Sequence, residues 1–580
     1  MRADPVRQRR GPFVRLAVLV IFALAVFGAP AGAFAADAPV RSSHVMIAAA
    51  HPAAAEAGAR ILSAGGDAID AAIAAQMVLG LVEPQSSGIG GGGFLLYYDT
   101  AQETVESYDG RETAPAAAAE PLFLAADGTP RPWPEAAVGG LPVGVPGVVR
   151  MLERAHRAHG RTPWAHLFEP AAALAERGFA ITPRLAHMIE KNADLARFPD
   201  ARAYFFHPDG SPKRAGETLV NPAYAETMRA IAREGADALH EGRIAAEIVA
   251  TVQGDPVNPG ALALADLAGY RARVRLAVCG DYRRHRVCSM GPPSSGGVTL
   301  LQILGLLERF DLAALTPGSV EAVHLISEAS RLAFADRNRY LADTDFVPVP
   351  VAGLLDPDYL RRRSALIDPD RAIGEAAPGA PPGSDSLARA DAASPELAST
   401  SHLSVVDSRG NAVSFTTSVE RAFGSRLMAA GFILNNQLTD FSFAPTSEHG
   451  PVANRVQPGK RPRSSMTPTL IFDEDGSLFA TLGSPGGPRI IGFVAQSAIA
   501  LLDWSLDAQA ALSLPRHVNR NGATELEAGT ALEEIAPALE ALGHEIRIRP
   551  LVSGLHAIRR AEGMLEGGAD PRREGIALGH

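Results

Sequence analysis

The sequence predicts a mixed α+β fold, because two different hydrophobic patterns occupy different parts of the chain. Alternation of apolar and polar residues follows Thr400, in HLSVVD and AVSFTTSV, and predicts β-strands. Residues 373–399 separate the two patterns; they lack periodicity and are rich in Ala, Pro, Gly and Ser, so we predict a flexible linker there. Helical periodicity dominates the part before the linker, in residues 53–82, 148–180, 219–250, 297–309 and 319–342.

The N-terminus has the three-part pattern of a secretory signal peptide. Several arginines precede the apolar run from Leu16 to Ala29, and Ala33-Phe34-Ala35 provides an A-x-A cleavage site. The apolar run is shorter than the ~20 residues that a membrane-spanning helix needs, which favours a cleaved signal over a retained anchor. We therefore expect residues 1–36 to be removed and the protein to be periplasmic or secreted.

The first helical segment is followed by a glycine run that could be mistaken for a nucleotide site. Residues 53–82 predict two packed helices, with Asp67 as the N-cap of the second and Glu83 at its end. The run GIGGGG, residues 88–93, satisfies G-x-G-x-x-G, but it follows a helix and opens the strand FLLYYD. A dinucleotide fingerprint follows a strand and opens a helix, so we predict a close-packed turn instead.

The charge balance and the histidine pattern exclude some classes of partner. The formal net charge is −10 at pH 7, so the chain offers no excess of basic residues to neutralise phosphates. Nucleic acid is therefore excluded as a partner and a small-molecule substrate is favoured. The 16 histidines form no H-E-x-x-H motif, and we predict neither a metal site nor a cofactor.

The only two cysteines of the chain, Cys279 and Cys288, lie in the predicted short strands VRLAVC and RVCSM. They flank a turn-like segment, so a disulfide could cross-link a hairpin in an oxidising compartment. Two unpaired thiols are the alternative, and the spacing alone does not decide between them.

The segment after the linker predicts a β-hairpin that begins at Thr400. Its turn is Ser408-Arg409-Gly410, with glycine where a left-handed backbone conformation is needed. If Asp407 pairs with Asn411, the register places Thr400 opposite Ser418, with Cβ atoms about 5 Å apart.

A threonine at this position could be a nucleophile if the chain were cut in front of it. A threonine hydroxyl needs a base, and no His-Asp partner is apparent in the sequence. An N-terminal threonine carries its own base, an α-amino group with a pKa of about 7.7–8.0. Cleavage of Ser399-Thr400 would therefore activate an otherwise inert precursor. The alternative is a structural threonine at the start of a strand.

Acyl transfer also requires donors for the oxyanion of the tetrahedral intermediate. The segment GSPGGPR, residues 483–489, offers the backbone N–H groups of Gly486 and Gly487, which no Cβ shields from a substrate. A plain turn is the alternative interpretation.

Two sets of segments point to a known family. After the linker they are TSHLSVVDSRGNAV, GFILNNQLTDF, KRPRSSMTPTL and GSPGGPR, and before it DAIDAAIAAQMVLGLVEPQSSGIGGGGF, YDGRETAP, GVPG and PPSSGG. In order and spacing they resemble the small and large subunits of γ-glutamyltransferases, over nearly the whole mature chain. The resemblance implies a four-layer αββα sandwich of the N-terminal nucleophile hydrolase type. It also implies self-cleavage into a large subunit, residues 37–399, and a small subunit, residues 400–580.

The same resemblance implies the reaction and the role of each site residue. The γ-glutamyl group of glutathione or another γ-glutamyl amide would pass to water or to an amino-acid or peptide amine. Thr400 would be the nucleophile, Ser418 would assist it, and Gly486 and Gly487 would bind the oxyanion. The remaining residues fall into two groups: Arg111, Ser464 and Ser465 for the donor's α-carboxylate, and Glu420, Gln437 and Asp440 for its α-ammonium.

Two alternatives remain on the sequence alone. A glutaryl (cephalosporin) acylase of the same fold would need the carboxylate site but not the ammonium site, so the presence of Glu420, Gln437 and Asp440 favours a γ-glutamyl donor. A catalytically dead binding homologue would have no need of Thr400 or Arg111, and both are present.

Overall fold

The computed structural model describes residues 38–384, 390–391, 399–448 and 450–580. The predicted signal peptide lies outside the described residues, as does most of the predicted linker after residue 384. The described parts of the linker, residues 373–384, 390–391 and 399, are packed in places: Ala376, Ser384, Ala390 and Ser399 are buried. Within the described residues, no helix is long and apolar enough to cross a membrane.

Two seven-stranded sheets form the centre of the protein, and neighbouring strands in both are antiparallel. The first sheet has, in spatial order, the strands Val40–Ser42, Met564–Ala569, His556–Ala561, Leu478–Gly483, Thr469–Phe472, His285–Ser289 and Val278–Tyr282. The second sheet has Ile576–Gly579, Met46–Ala49, Ser401–Val406, Ala412–Ser418, Gly92–Asp99, Thr104–Asp109 and Arg273–Leu276.

Three apolar cores separate four layers, which confirms the αββα sandwich. Successive side chains of a strand point to opposite faces. On the strand Gly92–Asp99, Leu95 and Tyr97 therefore join a core with one helical layer, whereas Leu96 and Tyr98 join the core between the two sheets. A third core packs the other face of the first sheet against the second helical layer.

The helices fall into two groups along the chain. The first group precedes residue 270 and comprises Pro52–Ser63, Ala68–Val82, Trp133–Ala136, Val148–His159, Glu169–Arg177, Pro183–Lys191, Pro199–Phe205, Pro222–Glu234, Asp237–His240, Gly242–Gln253 and Leu264–Gly269. The second comprises Gly296–Leu307, Val320–Tyr340, Val351–Leu354, Pro357–Ser364, Ile490–Leu502, Ala508–Ser513 and Ala536–Ala541. Smaller sheets pair Phe179–Ala180 with Thr218–Leu219, Met428–Ala429 with Phe432–Ile433, Thr446–Ser447 with Gly450–Pro451, and His517–Asn519 with Thr524–Glu527 and Ile546–Arg549.

The local predictions for the N-terminal segments are confirmed. The side chain of Asp67 accepts a hydrogen bond from the Ile69 amide and so caps the helix Ala68–Val82, which ends at Glu83. The glycine run is a close-packed turn that leads into a strand: a Cβ on Gly91 would lie 2.1 Å from the Ser418 carbonyl oxygen. No side chain fits there, which explains the glycine.

The predicted strand VRLAVC differs from the structure, which divides it at Ala277. Residues Arg273–Leu276 form the edge of the second sheet, and Val278–Tyr282 form the edge of the first. A continuous β-pattern cannot reveal this break, because both halves are strands and only the sheet that each joins differs. The structure also decides the question of the cysteines: Cys279 and Cys288 lie directly opposite each other and form a disulfide.

Candidate active site

Thr400 lies directly before the central strand Ser401–Val406 of the second sheet, as the hairpin predicts. Ser401 pairs with Thr417, which confirms the predicted register, and the hydroxyl oxygens of Thr400 and Ser418 lie 3.2 Å apart. Both residues are buried. The turn residue Gly410 has φ +85°, the left-handed conformation expected of it.

The peptide bond before Thr400 is held closely on both sides. The Thr400 hydroxyl donates a hydrogen bond to the Ser399 carbonyl oxygen, and the Ser399 hydroxyl donates to the carbonyl of Gln85. Arg573 Nη1 donates to the Thr400 carbonyl oxygen over 2.9 Å. Thr400 has φ +152°, a value rarely adopted by a β-branched residue, so the backbone is strained at this bond.

One pocket brings the predicted site residues together from distant parts of the sequence. Nine of the ten predicted catalytic and binding residues line it; the exception is Gly486. Ser399, Met466 and Ile490 complete the lining, which consists of Arg111, Ser399, Thr400, Ser418, Glu420, Gln437, Asp440, Ser464, Ser465, Met466, Gly487 and Ile490.

Arg111 is fully buried and its guanidinium is fixed by main-chain carbonyls. Nε donates to the carbonyl oxygen of Pro462 over 3.1 Å, and Nη2 donates to the carbonyl oxygen of Arg463 over 3.2 Å. Nη2 also donates to a carboxylate oxygen of Asp440. A planar guanidinium held in this way can present a fixed edge to a carboxylate in the pocket.

Glu112 is a neighbour of this cation that the sequence analysis did not single out. Its side chain is fully buried, with Oε2 3.6 Å from Arg111 Nη1, and neither carboxyl oxygen accepts a hydrogen bond from a described residue. Burial raises the pKa of Glu112 to about 8. The carboxyl group is therefore mostly protonated at neutral pH and adds little negative charge next to Arg111. Its adjacency to Arg111 in YDGRETAP was the available signal.

The side chains predicted to bind an ammonium group place acidic groups in the same pocket, beside Arg111. Glu420 and Asp440 are both buried carboxylates, 4% and 5% exposed, and Gln437 lies one helical turn before Asp440. Gln437 Nε2 donates to Asp440 over 3.5 Å. The Ser418 hydroxyl oxygen accepts a hydrogen bond from the Glu420 amide over 2.9 Å, so Ser418 links Glu420 to Thr400.

The two serines of the segment RSSM accept hydrogen bonds from other groups of the protein. Ser464 Oγ accepts the Met466 amide over 3.1 Å, and Ser465 Oγ accepts Arg337 Nη2 over 2.6 Å. Arg337 is buried on the helix Val320–Tyr340, more than 120 residues away, so no local sequence pattern indicates this contact.

Gly486 and Gly487 form a turn that only glycine adopts readily. Their φ values are +138° and +61°. Gly487 lines the pocket, whereas a Cβ on Gly486 would lie 2.9 Å from the ring of Phe493, so the Cα of Gly486 faces the neighbouring helix. Within the described part of the chain, neither amide N–H donates a hydrogen bond to another main-chain group.

Comparisons with known proteins identify the family to which the chain is similar. A family model described as Gamma-glutamyltranspeptidase matches residues 54–580. The Glutathione hydrolase proenzyme of Bacillus subtilis (strain 168) is 37% identical over 545 residues, which cover 92% of this chain and 91% of that protein. The Acylase ACY 1 proenzyme of Pseudomonas sp. (strain SE83) is 38% identical over 550 residues, 93% of this chain and 94% of that protein. The crystal structure of cephalosporin acylase from Bacillus halodurans superimposes with a TM-score of 0.83 at 28% identity, over 96% of this chain and 99% of that one.

Proposed function

The chain belongs to the gamma-glutamyltranspeptidase family, and from this premise we propose that it is a γ-glutamyltransferase and glutathione hydrolase made as a self-cleaving precursor. The observation that carries the proposal is the composition of one pocket. A nucleophilic hydroxyl, that of Thr400, shares this pocket with a buried guanidinium, that of Arg111, and with two buried carboxylates. This is the set of groups that an α-amino-acid donor with an amide side chain requires.

Maturation begins with attack of the Thr400 hydroxyl oxygen on the carbonyl carbon of Ser399. The C–N bond to Thr400 breaks, its nitrogen takes the hydroxyl proton, and an ester joins Ser399 to the Thr400 side chain. Water then hydrolyses the ester, leaving a carboxylate on Ser399 and a basic amine on Thr400. The contact of the hydroxyl with the Ser399 carbonyl and the strained backbone at Thr400 support this route.

Turnover uses the same hydroxyl a second time. The new α-amino group of Thr400 takes the hydroxyl proton, and the oxygen attacks the γ-carbonyl of the donor. The N–H groups of Gly486 and Gly487 stabilise the resulting oxyanion. The leaving amine takes the proton and departs, and water or an acceptor amine then releases the γ-glutamyl group from Thr400.

Donor recognition follows from the charged groups in the pocket. The α-carboxylate of the donor binds Arg111, Ser464 and Ser465, and the α-ammonium on the same carbon binds Glu420, Gln437 and Asp440. Ion pairs formed in a buried pocket are screened little by water, so both sets of residues contribute to selection of the donor.

The two subunits would stay together after cleavage. In the second sheet the strands Ser401–Val406 and Ala412–Ser418, which follow the cleavage site, lie between Met46–Ala49 and Gly92–Asp99, which precede it. We propose residues 37–399 and 400–580 as the two chains of the mature enzyme, exported after removal of residues 1–36.

A glutaryl acylase is the second candidate, because the acylase relative is as similar as the glutathione hydrolase. The structure adds one observation in its favour: Asp440 is hydrogen-bonded to Arg111, so its charge is balanced within the protein. Asp440 therefore has a cationic partner even when the donor carries no ammonium.

The test is a comparison of two chromogenic donors on the purified, matured protein. We expect kcat/KM for γ-glutamyl-p-nitroanilide to exceed that for glutaryl-p-nitroanilide by at least tenfold, and glycylglycine to accelerate release of p-nitroaniline if amines act as acceptors. A preference for the glutaryl compound would make the acylase the better assignment. If replacement of Thr400 abolished neither activity, both the γ-glutamyltransferase and the acylase assignments would be rejected.

A further inference from the structure

The segment that supplies Ser464 and Ser465 is supported by the PPSSGG segment, a motif that the catalytic scheme does not use. The amide and the hydroxyl of Ser295 both donate to the Ser464 carbonyl oxygen, over 2.7 and 2.6 Å. The Ser294 hydroxyl donates to the Met466 carbonyl oxygen over 2.6 Å, and the Ser464 amide donates to the Pro293 carbonyl oxygen over 3.0 Å. These contacts hold the main chain of the serine pair on both sides.

Arg337 joins this support to a side chain of the pocket. Its side chain is 2% exposed, on the helix Val320–Tyr340. Nε donates to the Ser295 hydroxyl over 2.9 Å, and Nη2 donates to the Ser465 hydroxyl over 2.6 Å. Arg463 Nη1 in turn donates to the Arg337 carbonyl over 3.0 Å. Arg337 does not itself line the pocket.

The direction of these hydrogen bonds has a chemical consequence. A guanidinium can only donate, so the Ser465 oxygen is the acceptor in its bond to Arg337. The single O–H of Ser465 must therefore act as a donor to some other group. Ser464 has the same arrangement, because its oxygen accepts the Met466 amide. A carboxylate can only accept, so two hydroxyls set as donors match it.

We infer that Arg337 is a positioning residue for the donor: it orients the Ser465 hydroxyl as a hydrogen-bond donor toward the α-carboxylate. The inference rests on the proposed function, which assigns that carboxylate to Arg111, Ser464 and Ser465. Arg337 contributes through Ser465 and not by touching the donor.

This role predicts a change in binding rather than in chemistry. Arg337 donates hydrogen bonds to Ser295, Asn338 and Ser465, none of which is the nucleophile or a proposed oxyanion residue. Loss of the guanidinium should therefore weaken binding of the donor equally in the ground state and in the transition state. This raises KM and leaves kcat nearly unchanged. A hydrogen bond to a charged group is strong enough for a KM change of about tenfold.

The experiment is a double-mutant cycle on the matured enzyme with γ-glutamyl-p-nitroanilide. Arg337→Gln should raise KM about tenfold with kcat within about twofold of wild type, and Ser465→Ala should do the same. In the Ser465→Ala background, Arg337→Gln should change KM by less than about twofold, because the residue through which it acts is already gone. Equal effects of Arg337→Gln in both backgrounds would overturn the inference, as would a fall in kcat at constant KM.

A matched control and a second variant keep the test decisive. Arg331 lies on the same helix, is equally buried and pairs with Glu328 and the Gly522 carbonyl; Arg331→Gln should leave KM unchanged. If Arg337→Gln does not mature, Arg337→Lys retains the charge without the fork and should raise KM in the same Ser465-dependent way. A donor that lacks the α-carboxylate altogether, such as 4-aminobutyryl-p-nitroanilide, should show no effect of Arg337. If Arg111→Lys and Ser465→Ala both leave KM unchanged, the carboxylate assignment fails instead.

Discussion

Arg111 donates a hydrogen bond to Asp440, and the proposed function assigns these two residues to the two charged groups on the α-carbon of the donor. The cation and the anion of the pocket are therefore close enough to balance each other. An α-amino-acid donor carries one charge of each sign and keeps this balance when it binds both residues. A glutaryl donor brings only a negative charge and alters it.

Replacement of Asp440 by Asn should separate the two kinds of donor. The buried carboxylate facing an ammonium makes a charge-assisted bond, and loss of one partner of such a pair costs about 2–5 kcal/mol. We expect kcat/KM for γ-glutamyl-p-nitroanilide to fall by more than tenfold. Activity on glutaryl-p-nitroanilide, which lacks the ammonium, should fall much less or rise and serves as the internal control. Equal losses of kcat/KM on both substrates would show that Asp440 does not bind the ammonium group.

Replacement of Arg111 by Lys tests the proposed site for the donor's α-carboxylate while the positive charge is preserved. Lysine cannot form the planar fork, and it cannot reach the Pro462 and Arg463 carbonyls and a carboxylate together. We expect kcat/KM on γ-glutamyl donors to fall by more than tenfold while cleavage at Ser399-Thr400 continues. Arg331→Lys, at an equally buried arginine outside the pocket, is the control. Wild-type kcat/KM in Arg111→Lys would show that the carboxylate binds elsewhere.

Thr400→Ala should yield a single uncleaved and inactive chain, because maturation and turnover use the same hydroxyl. Wild-type protein should yield two chains, and N-terminal sequencing of the smaller should read Thr400-Ser401-His402. Ser401→Ala is the matched control: its hydroxyl donates to Glu83 and does not line the pocket, so cleavage should proceed. Two chains from the Thr400→Ala protein would refute the assignment of the nucleophile.

The melting temperature should fall as the pH decreases from 6.5 to 4.5. Burial lowers the pKa of six histidines, to about 3 for His544 and His556; the others are His51, His240, His402 and His517. The unfolded chain, with histidine pKa values near 6.5, takes up these protons first, so the fold loses stability as the pH falls below 6.5, by at most about 1.4 kcal/mol per pH unit for each histidine.

The buried acid Glu112 acts in the opposite direction, as do Asp343 and Asp407, whose pKa values burial also raises. The pKa of Glu112 is about 8 in the fold, so its contribution to stability grows as the pH falls from 8 to about 4.5. Between pH 6.5 and 4.5, the effect of Glu112 on stability cancels that of roughly one of the six histidines. A melting temperature that stays constant or rises between pH 6.5 and 4.5, measured by calorimetry on the matured enzyme, would contradict this balance.

Features that depend on residues close in the chain could be predicted from the sequence. The turn at Gly410 and the period of two fixed the hairpin register, so the approach of Thr400 to Ser418 followed from local geometry alone. The capping of the second helix by Asp67 is equally local. The roles proposed for Arg111 and Asp440 come from the resemblance to the family and could not be worked out from spacing.

What the sequence by itself determined is therefore the α+β class, the hairpin that begins at Thr400 and the family whose motifs surround it. Only the tertiary structure decided that VRLAVC divides between two sheets, that the cysteines pair, and that Glu112, Arg337 and Arg573 support the site. The physical reason is the separation along the chain. Arg573 reaches Thr400 across 173 positions, and Arg337 reaches Ser465 across 128. Such contacts exist only because non-adjacent strands and helices pack into common layers, and no local pattern records which of them become neighbours.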